Sequence, residues 1–112
     1  MAYIGLNGRV DGMSASDKAL DGLVLATANA SYRRSIDAAE LAACLRSGAG
    51  GAWIVHVATF LTEVQPELVL KFAERHGISM SELAFAYNAM KATTGEANPA
   101  LETALVQLAP AA

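Results

Sequence analysis

AERHGISMSEL (residues 73–83) joins two apolar, helix-periodic stretches, and the reading of its corner decides the fold. Arg75 and His76 suit the last turn of a helix, where positive charge meets exposed carbonyls, and Gly77 closes that turn. Two residues later Ser79-Met80-Ser81-Glu82 has the S-x-x-E spacing of a capping box, which opens a new helix. Ile78 and Leu83 occupy the two positions of a hydrophobic staple, and Ile78 also sits where a Schellman stop returns an apolar side chain to the helix before it. The stretch therefore reads as helix, tight corner, helix.

The pattern extends in both directions. Upstream, Pro66 is placed to be a first helical residue, and Leu68, Val69, Phe72 and Ala73 repeat on one face. Downstream, the helix runs to about Thr93 and Gly95 ends it. Asn98-Pro99 opens a last helix with Leu101, Ala104, Leu105 and Leu108 on one side, stopped by Pro110. Near the start, residues 1–13 carry Gly5, Gly8 and Gly12 and are expected to form an irregular N-terminal arm. Ser14 and Asp17 then cap a helix whose apolar side is read as Leu20, Leu23, Val24, Thr27 and Ser31, with Arg33 and Arg34 at its far end. A second helix begins at Ser35 or Asp37, the latter boxed with Glu40, and presents Ala38, Leu41, Ala42 and Leu45. Ser47 to Gly51 stops it. That glycine cluster lacks the Gly-Lys-Ser/Thr of a phosphate loop, and a dinucleotide fingerprint would need glycine where Trp53 stands.

Ala52 to Val64 is the ambiguous segment. Ile54, Val55, Val57 and Phe60 have strand propensity, yet no partner strand is evident, and Trp53, Val57, Phe60, Leu61 and Val64 fit one helical face. A buried helix is expected. The whole reads as all-α: one helical domain over residues 14–112, a compact bundle of about six short helices, with a helix-turn-helix-like corner at residues 66–92.

Composition narrows function. The chain has 112 residues, 54% of them hydrophobic and 17% charged, with 24 alanines, and mean hydropathy is +0.32. With so little charge to cover the surface, some apolar area is expected to meet a partner, most simply a second copy in a homodimer. The formal net charge is −3, which works against non-specific nucleic-acid binding. A single cysteine, Cys44, excludes an internal disulfide framework and a four-cysteine zinc site. The longest uncharged run, residues 47–62, is short of the roughly 20 apolar residues that span a bilayer, and no signal peptide is evident at the start. A cytoplasmic protein without a membrane role is expected.

Residues 72–90, FAERHGISMSELAFAYNAM, resemble the helix-turn-helix pattern of many bacterial and phage repressors. Ala73 stands where a small residue lets the helices cross, Gly77 turns the chain, Ile78 plugs the corner, and Leu83 is the first buried residue of the second helix. The resemblance implies that the second helix would enter the major groove through Ser79, Met80, Ser81, Ala84 and Phe85, with Asn88 further along. Base readout favours Arg, Lys, Asn or Gln beside several phosphate contacts. Here the polar set is Ser79, Ser81 and Asn88, and the cations within reach are Lys71 and Arg75, joined by Arg33 and Arg34 if folding brings them alongside. Over residues 66–92, Lys71, Arg75 and Lys91 are balanced by Glu67, Glu74 and Glu82. The second helix is also apolar on most sides, as expected of a buried or partner-facing helix.

Chemistry-bearing residues are few. His56, inside an apolar run, is a candidate for ligand binding or pH sensing, against the plainer reading of a core histidine satisfied by a backbone carbonyl. Cys44 lies one turn after Glu40, without a second thiol for redox exchange, and also reads as a small buried hydrophobe. His76 is accounted for by the helix end. Asp17 and Asp21 share a helix face, where paired carboxylates more often sit in water than do acid–base work. No metal-ligand spacing or nucleophile motif is present, so neither an enzyme nor a cofactor is expected. The leading expectation is a small helical protein acting by protein–protein interaction and self-association, in an accessory, inhibitory or immunity-type role. Its interface candidates are the large apolar residues Trp53, Phe60, Phe85, Tyr87 and Met90, each also fit for the core. A DNA-binding regulator is the second reading, and a small enzyme or ligand binder using His56 or Cys44 the third.

Overall fold

A computed structural model describes residues 15–47 and 54–108, the side chains of residues 107 and 108 excepted. The expected arm at residues 1–13, the cap at Ser14, the glycines at 48–51, Trp53 and Pro110 lie outside the described residues. Among the described residues the structure is all-α: α1 (Ala15–Ala28), α2 (Ala38–Arg46), α3 (Ile54–Glu63), α4 (Pro66–Arg75), α5 (Met80–Thr94) and α6 (Pro99–Leu108).

The ambiguous segment is helix α3, and its surroundings explain why. α1, α2, α4 and α5 all pack on it, so His56, Val57, Ala58, Phe60 and Leu61 are buried together. A helix apolar round most of its circumference has to lie at the centre. Phe60 and Phe72 meet at its α4 side with ring centroids 5.2 Å apart and tilted planes, a favoured aromatic geometry. Around them Leu41, Leu45, Leu61, Leu83, Met90 and Leu101 are fully buried. Each such side chain contributes about 1.5–3 kcal/mol relative to exposure.

The corner forms as its residues dictate. Gly77 adopts φ of +70°, its N–H bonds the Glu74 carbonyl at 3.2 Å, and the Ile78 N–H bonds the Ala73 carbonyl at 2.8 Å. That pair of bonds is a Schellman motif. The Glu82 N–H then bonds Ser79 Oγ at 3.1 Å while Glu82 Oε1 accepts from the Ser79 N–H at 2.9 Å, completing the capping box. Ile78, buried at the corner, belongs to the core that both helices share. Asp37 and Glu40 form the same box at the start of α2.

The reading of α1 is corrected. Helix α1 ends at Ala28, so Ser31, Arg33 and Arg34 belong to the following loop, and the inward side is Asp21, Val24 and Ala28. The Asn29 side chain bonds both backbone groups of Ile36 at 3.0 Å, drawing the chain back so that Ile36 enters the core. Leu23, read as inward, is 60% exposed. Helix α5 is not buried all round: Leu83, Ala86, Tyr87 and Met90 face inward, whereas Ser81, Phe85 and Asn88 are exposed.

Candidate functional site

The outward side of α5 follows from its 3.6-residue period. With Leu83, Ala86 and Met90 held in the core, Ser81, Phe85, Asn88 and Ala92 fall on the opposite flank. Phe85 is 66% exposed, the most exposed aromatic ring among the described residues. Its neighbours along the helix surface are Ser81, Glu82, Asn88 and Ala89, of which Glu82 alone is charged and is held in the capping box with Ser79. A short cleft runs beside it between α5 and α6, with a volume of about 280 Å³, lined by Ala84, Asn88, Leu105 and Val106 with Tyr87, Lys91 and Glu102. Val106 forms its far lip and is 78% exposed.

The polar groups of this cleft are engaged with one another. Tyr87 donates its hydroxyl proton to Glu102, and the hydroxyl oxygen accepts the Asn98 N–H at 2.8 Å. Lys91 Nζ lies 3.1 Å from the same Glu102 carboxylate. Partial burial, together with the Glu102 charge, pushes the Tyr87 hydroxyl above its ordinary value. The hydrogen bonds from Tyr87 and Lys91 hold Glu102 below the usual carboxylate range. Asn98, which caps α6, also donates to the Leu61 carbonyl at 3.0 Å and so fixes α6 to the centre.

A second polar cluster ties α1 to the corner. Asp21, expected to sit in water, is only 8% exposed. Arg75 grips its carboxylate with Nε 3.2 Å from Oδ1 and a terminal nitrogen 3.0 Å from Oδ2, and His76 Nε2 also lies 3.0 Å from Oδ1. Arg75 also lies 3.7 Å from Asp17. Burial opposes the Asp21 charge, but the bonds and charges of Arg75 and His76 outweigh it, and the carboxyl is held below its ordinary value. The His76 ring meets Phe72 with centroids 4.4 Å apart and planes tilted by 44°, and Arg46 of α2 donates to the His76 carbonyl at 3.0 Å. Sequence reading missed this cluster because its partners are 54 and 55 residues apart and no local pattern links them. Alongside it, Leu20, Leu23 and Leu68 line a groove of about 620 Å³ between α1 and α4.

The interface candidates separate under this geometry. Phe60, Tyr87 and Met90 are core residues at 0, 2 and 0% exposure, so an interface in the folded chain cannot be built on them. Phe85 alone of the described candidates reaches solvent. Val106, which was not singled out, has a readable signal: it is apolar yet off the Leu101 and Leu105 face. Of the DNA-contact candidates, Ser79, Ser81 and Asn88 are exposed at the corner and along α5. Lys71 and Arg75 instead line the groove on the α1 side, and Arg75 is committed to Asp21. Arg33 and Arg34 sit on the α1–α2 loop, where the Arg34 carbonyl meets His56 Nε2 at 2.9 Å. His56 is 3% exposed and its ring contacts Tyr32 with centroids 4.4 Å apart, an environment closed to a substrate. Partial burial, and then the Glu40 charge, push the Cys44 thiol up, which disfavours the nucleophilic thiolate. Among the described residues no three His, Cys, Asp or Glu side chains converge as a metal site, and no helix is long and apolar enough to cross a membrane. Comparison with protein-family models, with curated proteins and with solved structures finds no match to the chain.

Proposed function

We propose that the protein acts by binding another protein surface through the outward side of α5. The observation that carries this reading is Phe85: a ring two-thirds exposed on α5, beside Ser81, Asn88 and Ala89, with Glu82 held in the capping box. Aromatic anchors dominate binding energy at protein interfaces, because one ring removes a large apolar area from water in a single contact. The two capping motifs and the Asp21 cluster hold α5 in place, so little conformational entropy is lost when the face is covered.

A specific observation favours DNA binding as the second reading. Two helices meet at a tight hydrogen-bonded corner, as the resemblance to a helix-turn-helix requires, and Ser79 at the cap and Ser81 and Asn88 on the second helix are exposed. Chemistry weighs against it. A DNA reader needs several cations around the reading helix, whereas here Arg75 faces α1 and Lys91 pairs with Glu102.

Affinity capture from an extract of the producing cells, with wild type, Phe85→Ser and Leu23→Ser as baits, separates these readings. Proteins held by wild type and Leu23→Ser but lost with Phe85→Ser are the expected result. Protein capture indifferent to Phe85, or salt-sensitive retention of DNA that Lys71→Ala and Arg33→Ala weaken, would overturn it.

A further inference from the structure

We draw no further inference here: the strongest candidate, the groove of about 620 Å³ between α1 and α4 lined by Leu20, Leu23 and Leu68, carries nothing because nothing in the structure shows what covers it.

Discussion

A β-carbon added at Gly22 or at Gly77 would meet nothing within 4 Å, yet the two substitutions are expected to act in opposite directions. Gly22 is an exposed interior residue of α1, so alanine there removes freedom from the unfolded chain and favours the helix. Gly22→Ala is expected to stabilise by about 0.5–1 kcal/mol. Gly77 has φ of +70°, where a β-carbon crowds the following carbonyl. Gly77→Ala is expected to destabilise by about 1–2 kcal/mol, both changes being read from urea midpoints. Asp21 supplies the pH dependence. Its folded pKa is depressed, so the stability it contributes is present above the ordinary value of 3.8 and is lost as pH falls through the lower folded value. Asp21→Asn is expected to cost about 2 kcal/mol at pH 7, the scale of hydrogen bonds to a charged group, and to flatten the loss of stability below about pH 4. Urea midpoints measured across that range would show an acid limb as steep as wild type if the cluster were inert.

The helices show what could be read locally and what could not. Both capping boxes, the Schellman stop at Gly77, the left-handed Gly95 that ends α5, and Pro66 at the start of α4 were legible because each is encoded within four or five residues. Ser79→Ala removes one half of its box and is expected to cost about 1 kcal/mol, with the loss of helicity confined to the start of α5 in amide exchange. Protection in the first turn equal to wild type would show that tertiary packing alone holds it. The side a helix turns inward was less legible where apolar and polar residues alternate without a clear stripe. The spacing places Leu23 in the core of α1 and leaves Asp21 to water, whereas Asp21 is the buried residue and Leu23 the exposed one. The difference is tertiary: Arg75 and His76 arrive from the α4–α5 corner and neutralise a carboxylate that the local pattern leaves unpaired. For the candidate site, α5 looked apolar all round, and only the placement of α3 and α6 reveals that the Phe85 flank is left open. Phe60, Tyr87 and Met90, read as interface candidates, are core, since composition ranks large apolar residues alike whether they point in or out.

Across the whole molecule the question is what covers Phe85 and Val106. A helix-turn-helix-like corner sets an expectation of DNA, but shape and charge point in different directions here. The chain has eight Lys and Arg against eleven Asp and Glu. Arg75, which the motif would send to phosphate, is instead spent on two aspartates of α1. Duplex DNA at about 50 mM salt, where phosphate contacts are strong, is therefore expected to show no binding by fluorescence anisotropy. Binding that weakens steeply with salt would reverse that conclusion. The account rests most on the outward side of α5 being the contact surface, and amide NMR spectra of the wild-type protein titrated with a protein that it captures test it most directly. Shifts gathered on Ser81, Ala84, Phe85, Asn88 and Val106, and absent from the α1–α4 groove, are predicted. Shifts centred on Leu20, Leu23 and Leu68 would contradict it.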